Sequence, residues 1–381
     1  MDFSWNSGDS ELYERALEFA RAELNGTFAD RVREHRFGKE EWKRCGAFGL
    51  TGLCVPEAYG GMGLGALSTA RVMEALGLCC QDTGLLFSMA AHLFACAVPI
   101  WKAGSETMKR ALLPRLASGD WMGANAITES EAGSDVFSLK AHAARDGDVY
   151  VLEGSKTWVS NGPVADIFIV YVATEPKAGY LGISAFVVER DRAGLSLGKA
   201  IDKVGLETSP TCSLYLEGCR VPVANLIGAE GQGARIFETA MLWERSCLFG
   251  IYLGLMERQL EACVDHARSR RQFGKPIGSF QAVSHRIAEM KVRLEAARLL
   301  LYRACWQLDQ GENAGLTVAM AKLAVSEAAV LAGLDAVQVF GGAGVMTETG
   351  VDRFLRDALP GTIVSGTSEI QRNLIARYLG L

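Results

Sequence analysis

"VYVLEGSKTWVS" (residues 149–160) decides the fold. It is a short, β-branched, turn-bounded run, and such runs read as strands. Four more follow at regular intervals: "DIFIVYVAT" (166–174), "GISAFVVER" (182–190), "GLSLGKAI" (194–201) and "TCSLYLEGCRVP" (211–222). Strands so short and so evenly spaced predict a compact β-barrel or sandwich between about 122 and 229.

Outward from that block the texture is helical on both sides. "SELYERALEFARAELN" (10–25) places apolar residues at helical spacing, with Ser10 positioned to cap its start. "STARVMEALGLCCQDTGLLFSMAAHLFACAVPIWKAG" (68–104) reads as buried helices, and the Pro and glycines of "GLTGLCVPEAYGGMGLG" (49–65) mark a structured loop. Past 230 come long helical stretches such as "RIFETAMLWERSCLFGIYLGLMERQLEACVDHARSR" (235–270) and "GLTVAMAKLAVSEAAVLAGLDAVQVF" (315–340). The expected fold class is α+β in three domains: helical over 1–121, β over 122–229, and a helical bundle over 230–381.

Composition narrows the function. A chain of 381 residues, 49 % hydrophobic, has ample apolar material for a core. A net charge of −5 with no Lys/Arg run argues against nucleic acid as a partner. No stretch of eighteen or more residues lacks charge and polar punctuation, so no membrane span is expected. "MDFSWNSGDSELYERALEF" (1–19) has no basic segment followed by an apolar one, so a cytoplasmic setting without a signal peptide is expected. Ten cysteines without a CxxC pair read as reduced, mostly buried thiols, and five histidines without HxxxH or HExxH spacing give no metal site.

Four segments carry candidate chemistry. "ITESEAGSD" (127–135) has the small residues and turns of a loop that offers backbone N–H groups to a polar ring edge or a phosphate. In "GSKTWVSNG" (154–162), Trp158 interrupts a strand beside Ser160, Asn161 and Gly162; from the segment alone it reads as a core side chain. "SRRQFGKPIGSFQAVSH" (269–285) sets Arg270, Arg271 and Lys275 around Phe273-Gly274, which by itself reads as a solvated helix end. "QVFGGAGV" (338–345) is not GxGxxG and does not follow a strand, so a Rossmann site is excluded, and its glycines suit close approach of backbone to a ligand.

Together with "KVGLETSPTC" (203–212), "EPKAGYLGISAFVVER" (175–190), "GLTGLCVPEAYGGMGLG" and "SGTSEIQR" (365–372), these segments resemble, in order and over essentially the whole chain, the acyl-CoA dehydrogenase family of flavoproteins. The resemblance implies FAD between the β domain and the C-terminal helices. Ile127, Thr128, Gly133 and Ser134 would hold the flavin, Trp158 would flank its ring system, Ser160 would bond near N5, and Thr367 and Glu369 would reach the ribityl region. It further implies that a neighbouring subunit completes the site through Arg270, Phe273, Gln281, Gln338, Gly341 and Gly342, hence a homodimer or homotetramer.

The family takes two hydrogens from an acyl thioester: a carboxylate removes the α proton and the β hydrogen leaves as hydride to the flavin. Many members carry that carboxylate just before the Gly-Thr-Ser turn, where this chain has Ser365 in "TIVSGTSEIQR" (362–372). Isovaleryl- and long-chain acyl-CoA dehydrogenases place it instead on a distant helix, in a Glu-Arg pair followed by an apolar run ending in Gly-Leu-Met or similar, and in "LWERSCLFGIYLGLM" (242–256) the match falls on Glu244. The residues support the same choice. On a helix Glu244 shares its face with Phe237, Ala240, Met241, Cys247, Leu248 and Ile251, where a carboxylate is costly unless paired or useful. Arg245 is expected to point about 100° away, toward Glu238, so it explains little.

Two departures bear on the substrate. Leu242 stands where members acting on CoA esters commonly have Asp, and Glu207 where a basic residue is common. Drift at tolerant positions and a carrier-protein thioester, which lacks the CoA nucleotide, account for them equally well. The small Ser365 leaves room suited to a branched or cyclic acyl group, with Arg245, Leu242 and Ile251 as substrate-side residues and His92, Phe94, Cys96 and Trp243 as further candidates. The expected acceptor is an electron-transferring flavoprotein or O2. An oxidase, a catalytically silent flavin-binding relative, and a nitroalkane oxidase-like or hydroxylase branch of the same fold are the alternatives.

Overall fold

A computed structural model describes residues 5–381. Among them seven helices precede the first strand: α1 (Ser7–Glu23), α2 (Phe28–Arg33), α3 (Lys39–Phe48), α4 (Ala66–Cys79), α5 (Thr83–His92), α6 (Val98–Ala103) and α7 (Glu106–Ala117). The cap of α1 is Asn6, whose side chain accepts the Asp9 N–H, and not Ser10, which lies inside the first turns. The Asn6 backbone is extended, as an N-cap requires, and the helix therefore starts four residues earlier than the apolar periodicity suggested.

Eight strands form one mixed sheet: β1 (Gly123–Ala126), β2 (His142–Asp146), β3 (Val149–Ser160), β4 (Ile167–Ala173), β5 (Ile183–Glu189), β6 (Leu195–Leu197), β7 (Thr211–Pro222) and β8 (Leu226–Ile227). Their order is β6-β7-β3-β2-β4-β5-β8, with β1 parallel to β4. All seven residues of β4 are buried, because both of its faces are covered. Phe168, Val170 and Val172 meet Val188 of β5 and Leu214 and Leu216 of β7, while Ile167, Ile169 and Tyr171 pack toward Ala95, Cys96 and Ile100 on the helical side. Strands from opposite ends of the order thus share one core, so the sheet curls over on itself.

Beyond the strands come α8 (Gly233–Trp243), α9 (Gly250–Ser269), the two-residue strands β9 (Arg271–Gln272) and β10 (Lys275–Pro276), then α10 (Gln281–Asp309), α11 (Gly315–Phe340), α12 (Val351–Ala358) and α13 (Ser368–Tyr378). Arg270, Arg271 and Lys275 therefore belong to a tight hairpin and its approach, not to a solvated helix end.

The first and last helical segments share one apolar core, centred where α4 crosses α9. Glycines allow the crossing. A Cβ on Gly77 would stand 2.2 Å from the Ile251 carbonyl oxygen, and one on Gly254 would stand 2.1 Å from that of Glu74. Two π-helical turns, Leu93–Ala97 after α5 and Glu244–Leu248 after α8, pack against each other beside the sheet. Such turns rotate the helix phase locally and are frequent at functional sites.

Two apolar helical stretches, 83–103 and 315–345, are long enough to cross a bilayer; the first is wholly buried inside the protein and the second half buried. All ten cysteines are free thiols, and nine are buried. Among the described residues no cluster of His, Cys, Asp and Glu could hold a metal.

Candidate active site

The site is built where the π turn after α8 meets the turn before α13. Glu244 opens the π turn and is 9 % exposed. Its Oε1 accepts a 2.5 Å hydrogen bond from Ser365 Oγ. Burial pushes the Glu244 carboxyl above the usual carboxylate range, and the Ser365 hydroxyl and the Arg245 charge pull it partly back.

Ser365 adopts φ 58°, the left-handed region that disfavours a residue with a side chain. Its carbonyl is held by Arg245 Nε at 2.7 Å and Gln371 Nε2 at 3.3 Å, and Gln371 also reaches the Gly366 carbonyl at 2.9 Å. Thr367 caps α13, its hydroxyl accepting the Ile370 N–H at 3.3 Å. Arg245 therefore does not turn to Glu238 on the surface. Arg245 lies near Glu238 but is drawn by the Ser365 carbonyl and half-buried against the 365–371 turn, while Glu238 takes the Tyr180 hydroxyl at 2.6 Å.

Of the other substrate-side residues, Ile251 and Leu242 lie in the helical core, the first buried and the second partly so. Phe94 and Cys96 are buried in the facing π turn, and Trp243 packs edge-to-face on Trp101. His92 is fully buried: its Nδ1 accepts the Gly123 N–H at 3.0 Å and its Nε2 bonds the Leu116 carbonyl at 3.1 Å, which clips α5 to β1. Burial lowers its pKa to about 4, so it stays neutral. Glu207 is committed to an ion pair with Arg356, beside the buried Asp357 that takes the Leu206 N–H at 2.7 Å.

Two participants were not read from the sequence. Tyr171 brings a fully buried hydroxyl with no hydrogen-bond partner among the described residues into the neighbourhood of Cys96 and Glu244. Lys156 is sealed beneath the 127–135 loop, donating to the Ile127 carbonyl at 3.1 Å and to Glu129 at 2.7 Å. Neither a single Lys in β3, whose nearest same-face neighbours Gly154 and Trp158 are exposed, nor a single Tyr in β4 gave a signal in the sequence.

The residues present fit a flavin. Trp158 is 58 % exposed at φ 53°, not a core side chain: the β3–β7 register breaks between Lys156 and Val159, and the break turns the indole outward. The Thr157 N–H bonds the Thr128 carbonyl at 2.9 Å, which sets the 127–135 loop beside that open aromatic face. Ile127 is buried, Thr128 and Ser160 half-buried, and Gly133 and Ser134 open, with nothing near a Cβ placed on Gly133. Glu369, in the first turn of α13, is exposed.

A second group gathers elsewhere. Arg270, Phe273, Gln281, Gln338, Gly341 and Gly342 are all exposed and stand around the C-terminal end of α9. There His266 stacks on Phe340 at 4.1 Å and ties α9 to the end of α11. Counted along α9, Arg270 lies roughly 35–40 Å from Glu244.

Family models described as the N-terminal, middle and C-terminal domains of acyl-CoA dehydrogenase match residues 7–120, 124–219 and 231–380. An L-prolyl-[peptidyl-carrier protein] dehydrogenase of Pseudomonas fluorescens is 53 % identical over 346 residues, 91 % of each chain. A solved structure described as PigA with FAD and proline superposes with a TM-score of 0.98 at 43 % identity, covering 100 % of both chains. The prolyl acyl carrier protein oxidase AnaB superposes at 0.97 with 42 % identity, covering 99 % of this chain and 100 % of its own.

Proposed function

Because the chain belongs to the acyl-CoA dehydrogenase family and oxidises acyl thioesters with FAD, we propose that its substrate is a prolyl group on a carrier protein. Glu244 is the base. The observation that carries the reading is the buried carboxylate bonded to Ser365, in a chain 53 % identical to a prolyl-carrier-protein dehydrogenase.

The thioester α C–H is a weak acid, and removing its proton needs an ionised, poorly solvated base and donors for the charge that develops on the thioester oxygen. Glu244 meets the first requirement: it is buried, and its raised pKa makes it a stronger base than a surface carboxylate. For the second, the turn that carries Ser365 and Gly366 is the segment that the Glu244 carboxylate touches, through the Ser365 hydroxyl, so donors for that charge would come from this turn. Bound FAD supplies the acceptor for the β hydrogen. The exposed Trp158 and the 127–135 loop orient that cofactor, and Arg245 and Gln371 fix the turn that faces it.

A carrier-protein thioester agrees with the two departures from the CoA-acting pattern. Leu242 is packed into the core and Glu207 is neutralised by Arg356, so neither presents a group to a nucleotide. The separation of the Arg270–Phe273 group from Glu244 exceeds what one chain brings together around one flavin, which supports a homodimer or tetramer in which each subunit completes its neighbour's site. The proposed acceptor is an electron-transferring flavoprotein, with O2 as the alternative that AnaB's description as an oxidase raises.

Anaerobic mixing of the yellow holoenzyme with L-prolyl thioesters on a peptidyl carrier protein and on CoA tests the reading. Bleaching of the flavin by the carrier-bound group alone is expected; bleaching by CoA esters alone overturns it. Hydrogen peroxide released in air would replace the flavoprotein acceptor by O2.

A further inference from the structure

Resting on the assignment of Glu244 as base, we infer that Ser365 is its positioning residue: the hydroxyl aims the buried carboxylate and, as a donor, favours its ionised form. Burial alone drives Glu244 toward the neutral acid, which cannot accept the substrate's proton. The neighbouring cation cannot oppose this by direct pairing, because Arg245 directs its Nε to the Ser365 carbonyl at 2.7 Å. The hydrogen bond that Glu244 does receive, at 2.5 Å, is the one from Ser365 Oγ. An ionised carboxylate accepts only, so this hydroxyl donates, and a donor to the charged form favours that form.

The backbone supports a role beyond leaving space. Ser365 sits at φ 58°, where glycine is unstrained and a residue with a Cβ is not. If the position served only to make room for the acyl group, glycine would do so without strain. The strained serine is held on three sides instead: by Arg245 and Gln371 on its carbonyl and by Glu244 on its hydroxyl. Strain of this kind persists where surrounding contacts over-determine the conformation. The consequence is a coupling across 121 positions of sequence, in which the turn before α13 positions, and biases toward its ionised form, a residue on the π turn after α8.

The test is the pH profile of kcat/KM with the L-prolyl thioester of a peptidyl carrier protein. Ser365→Gly removes the donor while relieving the strain, so the fold and the flavin spectrum are expected to hold. The acid limb should move to higher pH, and kcat/KM below the limb should fall roughly tenfold, the size of a hydrogen bond to a charged group. Ser365→Asn, which tolerates positive φ and carries an N–H donor, should recover part of the shift. An unmoved limb in Ser365→Gly overturns the inference, as does a shift to lower pH. Glu244→Gln separates the two readings: full turnover there removes the base assignment, whereas lost turnover with an unmoved Ser365→Gly limb removes only the role of Ser365. Should Ser365→Gly shed its flavin, infrared titration of the Glu244 carboxyl, taken as the difference from Glu244→Gln, reads the same shift, and no shift there overturns the inference.

Discussion

Lys156 Nζ stands 2.7 Å from Glu129 Oε1, with the lysine side chain sealed from water and the glutamate only 10 % exposed. The ammonium also holds the Ile127 carbonyl, and Glu129 takes the N–H groups of Lys140 at 2.7 Å and Ala141 at 2.9 Å. One ion pair thereby ties the start of the loop that borders Trp158 to the segment leading into β2. Burial lowers the Lys156 pKa to about 8, and burial works to raise that of Glu129, but the lysine and the backbone donors outweigh it and hold the carboxyl below its usual range. Lys156→Met would strand a buried carboxylate, at a cost of about 3–5 kcal/mol. A lower Tm and a reduced flavin-to-protein absorbance ratio after gel filtration are expected. A normal ratio with a lowered Tm would confine the pair to stability of the fold.

Asp357 predicts a pH dependence of stability. It is buried, takes the Leu206 N–H, and burial together with the Glu207 charge raises its pKa from 3.8 to about 6. Between those values the native state keeps a proton that the unfolded chain has released, so stability falls as pH rises from about 4 to about 6. Asp357→Asn does not titrate and still offers an oxygen to Leu206. Its stability relative to the parent should therefore climb by about 3 kcal/mol across that window and level off above it. Urea melts of both proteins at several pH values measure this; a flat difference would rule the titration out.

Tyr171 separates a structural from a substrate-binding role. Its hydroxyl is buried without a partner among the described residues, while its ring packs edge-to-face on Phe237 at 5.6 Å. An unsatisfied buried hydroxyl costs stability, so Tyr171→Phe should gain about 1 kcal/mol. If a polar atom of the acyl group takes that hydroxyl, the same variant will show a higher KM for the prolyl thioester despite its higher Tm. An unchanged KM would assign Tyr171 to packing alone.

The strands were legible because β-branched runs such as Ile167–Ala173 are bounded by turns, and Glu244 because a lone carboxylate on an apolar helical face has few innocent explanations. What the sequence did not disclose depends on departures from regular geometry or on distance along the chain. The π turn at Glu244–Leu248 leaves no trace in composition, and the Ser365 carbonyl that Arg245 takes in preference to Glu238 stands 120 positions away in the chain. Trp158 read as core because its outward turn follows from a register break set jointly by β3 and β7. The Ser365–Glu244 bond joins residues that only the folded chain brings together.

Phe273 tests whether a second subunit completes the site. It is 92 % exposed at φ 51° on the tip of the β9–β10 hairpin, and touches its own chain chiefly through Phe280 at 6.0 Å. A side chain so exposed contributes little to the fold of one subunit, and Phe273→Ala should leave the circular dichroism of the flavin-free protein unchanged. In an assembly where the hairpin covers a neighbour's FAD, the same variant loses a large buried aromatic surface, worth about 1.5–3 kcal/mol for a phenylalanine. Flavin retention should drop more than tenfold in affinity, and sedimentation should show a weakened oligomer. Retention and assembly both equal to the parent's would mean that the hairpin lies outside the cofactor site and that the flavin is enclosed without it.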